Sequence, residues 1–454
     1  MENENLSELI TQLLIERRFP QLRELLLEMM PVDIAALFDE LPEDDLPLVY
    51  RILPKELAAE AFACMDSDSQ EHLISTFSDK ELRLVLDQMF VDDAVDMIEE
   101  MPATVVKRIL AHTPPEKRHR INEILQYPDD SAGSMMTTEY VDLRKNMTVT
   151  QAFDKIRQVG VDKETIYTCY VKDSNRHLLG VITVKTLLLA PSDAVIEDLM
   201  DTNVICVDTF EDKEVVAKMF DKYDFLALPV VDKENRLVGI ITVDDALDVI
   251  QEETTEDFER MAAIMPSEGE YLKTSAFKHA KSRIVWLLFL MLTATITGMI
   301  IDRYESAFVA LPILVAFVPM IMGTGGNSGS QSATMVIRGL SIDEISLSDF
   351  FKVLGKETLV AIYCGVTLAL VNGVRVYFTY DRNMYLAVVL GITLVATVLI
   401  AKILGCLLPM GAKLLRLDPA LMAGPLVTTI TDTCSVLLYF IIASSIAPLF
   451  GVAI

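Results

Sequence analysis

The sequence lacks the features that would indicate nucleic-acid binding or catalysis. Among its 454 residues, 39 are Lys or Arg and 66 are Asp or Glu, which gives a net charge of −27. A chain this acidic should repel nucleic acid and attract cations. It contains no HExxH zinc-protease motif and no GxxxxGK[ST] phosphate loop, and its five histidines all precede residue 280. We therefore expect neither an enzyme nor a nucleic-acid-binding protein.

Cysteines are few and scattered, and the start of the chain has no secretion signal. The six cysteines, at positions 64, 169, 206, 364, 406 and 434, form no CxxC pair, which suits a reducing cytosol rather than a disulfide framework. The first ten residues, MENENLSELI, contain neither a basic region nor an apolar core. No cleavable signal peptide is expected.

Charge and apolar residues are divided unevenly along the chain, although 52% of all residues are hydrophobic. Residues 1–280 contain 28 Lys and Arg against 57 Asp and Glu, a net charge of −29. Residues 281–454 contain 11 against 9, a net charge of +2. The sequence therefore predicts an acidic soluble part followed by a membrane domain.

Long apolar segments predict a five-helix transmembrane domain over 281–454. A helix needs about 20 mainly apolar residues to cross the hydrocarbon core. Eight Lys and Arg residues fall in one set of alternating loops and three in the other, which predicts a multi-pass inner-membrane protein with a cytosolic N-terminus and an external C-terminus. Lys402, near the cytosolic end of the fourth span, is expected to extend to the interface. The predicted spans are 284–301, 307–337, 358–378, 385–408 and 420–449.

Two polar features interrupt these spans. Asp432 places a carboxylate at membrane depth, which costs at least about 2.5 kcal/mol on insertion scales and indicates a functional site. The stretch GTGGNSGSQSAT, residues 323–334, is rich in Gly and polar groups, which are tolerated there only beside protein or water. We predict a wet path on which Asp432 meets a hydrated hard cation such as Mg²⁺, which needs few direct ligands. The residues expected to line this path are Asn327, Ser330, Gln331, Thr428 and Thr431.

The soluble part divides into two predicted regions and a connecting helix. Residues 1–130 read as short amphipathic helices at spacings of about 20–25 residues, which is typical of an all-α superhelical domain. In residues 131–250, LLGVITVKTLL is repeated 59 positions later as LVGIITVDDAL, which predicts tandem α/β modules over 131–190 and 195–250. Residues 244–265 should form a helix within a connecting segment 244–280. Its acidic residues recur at helical spacing and repel one another, so a positive partner is expected.

Several motifs together resemble the MgtE family of magnesium channels over essentially the whole chain. They are YPDDSAGSMMT at 127–137, GIITVDDALDVIQEETTED at 239–257, GTGGNSGSQSAT at 323–334 and DPALMAGPLVTTITD at 418–432. The resemblance implies a multidomain membrane protein with an all-α N-terminal superhelical domain, a tandem CBS domain, a connecting (plug) helix and a five-helix transmembrane domain.

The resemblance also implies a homodimer in the lipid bilayer, with two copies of Asp432 around one pore that holds a mostly hydrated Mg²⁺. It further implies regulatory Mg²⁺ sites formed by acidic residues on the cytosolic side. The matching positions are Glu60, Asp92, Asp96, Glu214, Asp224, Asp245, Asp248, Glu253, Glu256, Asp257 and Asp418.

The implied function is a Mg²⁺-selective channel for magnesium homeostasis, which imports the ion down its electrochemical gradient and is closed by cytosolic Mg²⁺. A secondary transporter that couples Mg²⁺ or another divalent cation to Na⁺ or H⁺ is the alternative. The preference among Mg²⁺, Co²⁺, Mn²⁺ and Ca²⁺ stays open. ATP binding also stays open, because Thr242 and Asp245 keep a T-x-x-D ribose-contact pattern, whereas Thr183 is followed by Thr186 at the corresponding position.

Overall fold

The computed structural model describes residues 9–10, 12–266, 271–304, 312–422 and 424–451. The chain divides into two compact units, Met1–Gln251 and Glu252–Ile454.

The N-terminal part of the first unit is all-α, as predicted. Its helices are amphipathic: α7 buries Val91, Ala94, Val95 and Ile98, the spacing of one helical face. Proline commonly stands in the first turn, where the missing N–H costs nothing. Helix α2 packs on α4, α4 on α6 and α6 on α8. The described helices here are α1 Phe19–Leu27, α2 Pro31–Glu40, α3 Leu46–Tyr50, α4 Lys55–Ala63, α5 Ser67–Thr76, α6 Asp79–Gln88, α7 Val91–Glu100, α8 Ala103–His112 and α9 Pro115–Ile124.

The rest of the first unit contains two modules of the same design, which confirms the predicted tandem. Each has a three-stranded sheet whose first two strands are parallel and whose last two are antiparallel. The antiparallel pairs have matching registers, with Thr168 opposite Thr183 and Ala227 opposite Thr242. The first module comprises β1 Tyr140–Leu143, α10 Val149–Val159, β2 Thr165–Lys172, β3 Leu178–Thr183 and α11 Val184–Leu189. After α12 Ile196–Leu199, the second comprises β4 Val207–Asp208, α13 Lys213–Tyr223, β5 Ala227–Val231 and β6 Leu237–Thr242.

Helix α14, Val243–Met261, continues directly from β6. The helix predicted over 244–265 therefore begins one residue earlier and ends four residues sooner. Four residues of the predicted connecting segment, 267–270, lie outside the described residues.

The second unit is helical and apolar. Among the described residues, four stretches are long and apolar enough to cross a membrane: Ala276–Arg303, Leu347–Thr379, Met384–Leu414 and Pro419–Phe450. The second predicted span, 307–337, overlaps a further long helix, α16 Val318–Ser341, which begins 11 residues later and ends four residues later than predicted. Its Gly and Ser residues make it more polar than the other four. Residues 307–311 of that span and Ala423 of the fifth lie outside the described residues. The helices are α15 Ala276–Arg303, α16 Val318–Ser341, α17 Phe350–Thr379, α18 Met384–Leu414 and α19 Gly424–Ile446.

Glycines allow α16 to pack closely against α18 and α19. A Cβ atom at Gly405 of α18 would lie 2.9 Å from Ser332 Cβ and 3.1 Å from the Ala333 backbone nitrogen. A Cβ atom at Gly325 would lie 2.7 Å from Ser435 Oγ. Small residues at such crossings are the usual basis of helix association in a bilayer.

Candidate functional site

Asp432 lies on α19 where this helix meets α16. The side chain is half-buried, and a Cβ atom at Gly326 would lie 3.5 Å from its Oδ1 and 2.7 Å from Thr428 Cγ2. Gly326 therefore lets the α16 backbone approach the carboxylate. Oδ1 is buried and accepts no hydrogen bond from the residues that the structure describes. A buried, unsatisfied carboxylate oxygen is costly unless a donor or a cation reaches it.

The polar residues of α16 form a stripe beside this carboxylate. Asn327 and Gln331, four residues apart, are both exposed in the single chain. Ser330 is half-buried, and its Oγ lies 3.2 Å from Thr428 Oγ1 on α19. These four residues, all of them predicted to line the ion path, thus lie along one side of the α16–α19 crossing.

Thr431 has a different position. It is fully buried and packs against Gly325 and Gly329, within the three-helix contact rather than on the exposed stripe. Sequence pattern alone could not separate it from Thr428, because both lie close to Asp432 in the same helix.

A second polar site, the acidic cluster, lies in the first unit, where acidic residues of α7 and α14 raise one another's pKa values. Asp92 is almost fully buried, and burial, followed by the charges of Asp93 and Asp245, raises its pKa well above the ordinary value. Burial and then Asp245 raise the pKa of Asp96 to about 7, although its exposed edge allows water to screen part of this effect. Burial raises the pKa of Asp245 to about 6, against the hydrogen bond that it accepts from Thr242 Oγ1 at 2.7 Å.

Sequence reasoning missed three members of this acidic cluster: Asp93, Glu164 and Asp244. Burial, with Asp93, Asp244 and Asp245, raises the pKa of Glu164 to about 8, and its Oε2 is buried without a hydrogen-bond partner among the described residues. Glu164 belongs to no helical pattern of acidic residues, because it lies just before β2. It comes close to Asp93 of α7 only in the folded chain. Asp93 and Asp244 each neighbour a predicted residue, so the local density of acids was the only available signal.

The donor chemistry of the acidic cluster fits a divalent cation. All its side chains offer carboxylate oxygens, the ligands of Mg²⁺ and Ca²⁺, and they repel one another in the absence of a cation. Among the described residues, no three His, Cys, Asp or Glu side chains are already grouped as metal ligands. An ion that keeps several of its waters suits such an arrangement better than one that requires full protein coordination.

Other predicted acidic residues of the first unit lie outside this cluster. Glu60 is exposed on α4. Glu214 accepts a 2.6 Å hydrogen bond from Lys218 Nζ, and Asp224 ends α13 in the left-handed conformation with φ of 54°. Asp248 is exposed on α14.

In the second unit, the C-terminal part of α14 meets the segment before α19. Arg260 forms ion pairs with both Glu256 and Asp418, and Ser341 Oγ donates a 3.3 Å hydrogen bond to Asp257. Glu253 is half-buried one helical turn earlier. Arg260, a residue of the same helix, is thus a positive partner of Glu256, one of the acidic residues at helical spacing.

The expectation for Lys402 is wrong. Lys402 is 4% exposed and, rather than extending to the interface, lies 3.5 Å from the Glu357 carboxylate of α17 and donates a hydrogen bond of 3.1 Å to Ser332 Oγ of α16. Position along a span indicates where snorkelling is possible, but a nearby carboxylate from another helix is visible only in the fold.

The fold and these sites define a multi-pass membrane transporter of divalent cations with a CBS domain pair. Three family models match the chain: "MgtE intracellular N domain" at 29–130, "CBS domain" at 132–193 and 196–252, and "Divalent cation transporter" at 318–442. The chain belongs to the MgtE family of magnesium transporters.

Relatives match over nearly the full length. The magnesium transporter MgtE of Thermus thermophilus is 36% identical over 93% of this chain and 94% of its own. The magnesium transporter MgtE of Bacillus subtilis is 32% identical over 98% of this chain and 99% of its own. The expectation of a transporter rather than an enzyme agrees with these names.

Two solved structures each match about half of the chain. The cytosolic domain of the Mg²⁺ channel MgtE in complex with ATP is 37% identical, with a TM-score of 0.51, and the match covers 54% of this chain and 99% of that one. The soluble part of a magnesium transporter is 32% identical, with a TM-score of 0.52, and the match covers 55% of this chain and 98% of that one.

Proposed function

We propose that this chain is a Mg²⁺-selective channel that imports magnesium as a homodimer and closes when cytosolic Mg²⁺ rises. The observation that carries the proposal is the juxtaposition of Asp432, Thr428 and Ser330 with the exposed polar side chains of Asn327 and Gln331. Lipid would not tolerate such a stripe, so water and a second copy of the chain cover it. The bilayer-spanning domain then comprises five helices per copy.

The ion keeps most of its hydration shell in this path. Hydroxyl and amide groups hydrogen-bond to its waters, and the two Asp432 carboxylates supply the charge that favours a divalent cation. The membrane potential drives entry with about 4.6 kcal/mol per divalent ion at 100 mV.

The acidic cluster is the proposed sensor. At low cytosolic Mg²⁺, Asp92, Asp96, Glu164 and Asp245 repel one another; Mg²⁺ neutralises them and favours the compact, closed state. An ion shifts a two-state equilibrium only through its differential affinity, and a change from 1:99 to 99:1 needs about 5.5 kcal/mol. Several carboxylate sites acting together can supply this difference. Glu60, Glu214, Asp224 and Asp248, with Glu253, Glu256, Asp257 and Asp418 nearer the membrane, are the proposed additional contributors.

We place the functional regions at 1–130, 131–250, 244–280 and 281–454, with the first three in the cytosol and the C-terminus outside. ATP binding, which the name of one structural relative reports for that protein, would involve the second module. There the Asp245 carboxylate belongs to the acidic cluster as well as to the ribose-contact pattern, so nucleotide and Mg²⁺ would compete for it.

Current recorded from the purified full-length chain in liposomes tests the proposal, with Mg²⁺ as the sole permeant cation. We expect unitary openings that disappear as Mg²⁺ on the cytosolic side is stepped from micromolar to about 10 mM. Mg²⁺ flux without unitary current, dependent on a Na⁺ or H⁺ gradient, would instead identify a coupled transporter. Repeating the recordings with Co²⁺, Mn²⁺ and Ca²⁺ would establish the ion preference.

A further inference from the structure

The buried ion pair between Lys402 and Glu357 meets α16 at Ser332, next to the polar stripe. Ser332 Oγ donates a 2.5 Å hydrogen bond to Glu357 Oε2 and accepts one from Lys402 Nζ at 3.1 Å. Three helices, α16, α17 and α18, thus meet at one charged contact. Lys402 and Ser332 are almost fully buried, and the Glu357 side chain is 17% exposed.

This contact is close to the proposed ion path in the sequence and in the fold. Ser332 immediately follows Gln331, but their side chains lie on different faces of α16, one buried and one exposed. Beside them, Gly405 of α18 packs against Ser332 and Ala333. Consecutive residues of an α-helix point about 100° apart, so the Lys402 ammonium lies against the side of α16 next to the one that carries the polar stripe, within one helix diameter, about 10 Å.

An ammonium group at that distance opposes cation entry unless a negative charge cancels it. Interactions between charges fall off slowly in a low-dielectric, poorly screened interior. The adjacent carboxylate turns the isolated charge into a short dipole, whose field decays much faster with distance.

Resting on the proposed channel function, we propose that Glu357 is a specificity-determining positioning residue, which cancels the charge of Lys402 and thereby keeps the ion path favourable for divalent cations. Glu357 does not touch the ion; it acts through Lys402. Ser332 holds the two charged groups next to each other, because its hydroxyl hydrogen-bonds to both.

Loss of one partner should then impair transport and loss of the other should not, whereas the two partners of a purely structural ion pair should have similar effects. Glu357→Gln keeps a hydrogen-bond acceptor for Ser332 but leaves the ammonium uncancelled. We expect Mg²⁺ influx to fall about 100-fold. Lys402→Met removes the cation, and the unpaired Glu357 carboxyl should take up a proton in its buried site, so Mg²⁺ influx should stay within about threefold of the wild type. The neutral pair Lys402→Met/Glu357→Gln should restore influx to the same range.

Comparing Mg²⁺ and Na⁺ currents distinguishes this electrostatic effect from a folding defect. A folding defect would reduce both currents equally. A repulsive potential that lowers monovalent occupancy by a factor f lowers divalent occupancy by f², because the energy scales with ionic charge. Glu357→Gln should therefore reduce Na⁺ current, measured with divalent ions chelated, only about 10-fold. Lys352→Met, which removes a lysine from an exposed ion pair with Asp349, serves as the matched control and should leave both currents unchanged.

The experiment uses full-length protein in liposomes, after size-exclusion chromatography has verified assembly of each variant. Lys402→Arg/Glu357→Gln, whose guanidinium cannot lose its proton, provides a second test of an uncancelled charge. Wild-type Mg²⁺ influx in both Glu357 variants would overturn the inference, as would equal losses in Glu357→Gln and Lys402→Met, or equal losses of Mg²⁺ and Na⁺ current. If the wild type carries only gradient-coupled flux, the channel proposal fails, while the unequal effects of the two partners can still be measured on that flux.

Discussion

At the scale of single residues, two carboxylate oxygens are buried without a hydrogen-bond partner among the residues that the structure describes. Asp432 has an unsatisfied oxygen at the α16–α19 crossing, and Glu164 has one in the acidic cluster. Both arrangements are unfavourable without a cation, which is why we assign both to cation binding. Glu357, by contrast, has its positive partner, so its expected effect on the ion is indirect.

Removing the membrane carboxylate tests the first assignment. Asp432→Ala should lower Mg²⁺ influx at least 10-fold and reduce the preference for Mg²⁺ over Na⁺, because the path loses its charge. Influx into liposomes, reported by Mg²⁺- and Na⁺-sensitive dyes, measures both the rate and the preference for Mg²⁺. Thr431→Ser is the matched control on the same helix, since Thr431 is buried away from the stripe and should tolerate the loss of a methyl group. Unchanged selectivity in Asp432→Ala would remove Asp432 from the ion path.

The raised pKa values predict how the acidic cluster responds to pH. A carboxyl group whose pKa is higher in the folded state contributes stability at low pH that is lost as pH rises through the folded value. For Asp245, at about 6, and Glu164, at about 8, this window extends from about pH 4 to 8. Without Mg²⁺, the amides of α7 should exchange faster at pH 8 than at pH 5.5, after correction for intrinsic rates.

Mg²⁺ should reverse this loss at pH 8 and have little effect at pH 5.5, because it binds the ionised carboxylates. Hydrogen exchange of the full-length protein measures both conditions, with helix α2 as the internal control. In Glu164→Gln, the pH dependence should be smaller. Protection of α7 that is independent of pH and Mg²⁺ would contradict the assignment.

At the scale of helices, close approach and ion pairs decide how the segments pack. Gly405 brings α18 against α16, and Arg260 joins the end of α14 to Asp418. Neither contact follows from helical propensity. Each depends on a small or charged residue meeting a particular neighbour.

The glycine contact predicts different outcomes for two substitutions in α18. Gly405→Ala should lower stability by about 1–3 kcal/mol, because its Cβ would overlap Ser332 and the Ala333 backbone. Gly411→Ala, where a Cβ meets nothing within 4 Å, should be neutral or stabilising, by up to about 1 kcal/mol of helix propensity. Thermal melting in detergent compares the two. Equal shifts in melting temperature would show that α16 moves away at the crossing and makes room for the added methyl group.

The Arg260 ion pairs predict a gating effect. In Arg260→Gln, Glu256 and Asp418 repel each other, so the closed state should need more Mg²⁺. Losing a partly exposed ion pair of about 1 kcal/mol corresponds to a shift of about fivefold in the half-closing concentration. Patch-clamp recordings measure this shift, and Arg157→Gln, which removes an exposed pair with Asp154, is the control. An unshifted closing concentration would separate Arg260 from gating.

At the scale of the whole molecule, the asymmetric charge is the dominant feature. Residues 1–280 have a net charge of −29, whereas residues 281–454 have a net charge of +2. A region as acidic as residues 1–280 is held compact more easily when cations are present. Charge in the loops also predicts the direction in which the chain crosses the membrane.

That orientation can be tested by cysteine labelling in intact cells. With the other native cysteines replaced, exposed Cys64 should react with a membrane-impermeant maleimide only after permeabilisation. A Leu449→Cys variant, at a position that is 82% exposed after α19, should react without it. The reverse pattern would mean that the chain is inverted.

Sequence alone determined the broad organisation of this protein. Periodic apolar residues predicted the helices of residues 1–130, the internal repeat predicted the paired modules, and long apolar runs predicted the membrane helices, because each signal is local. It also singled out Asp432, since a charge in an apolar run is conspicuous. Only the tertiary structure brought Glu164 to α7, Arg260 to Asp418 and Lys402 to Glu357. These contacts join residues from different elements, and no spacing along the chain encodes which buried charges meet.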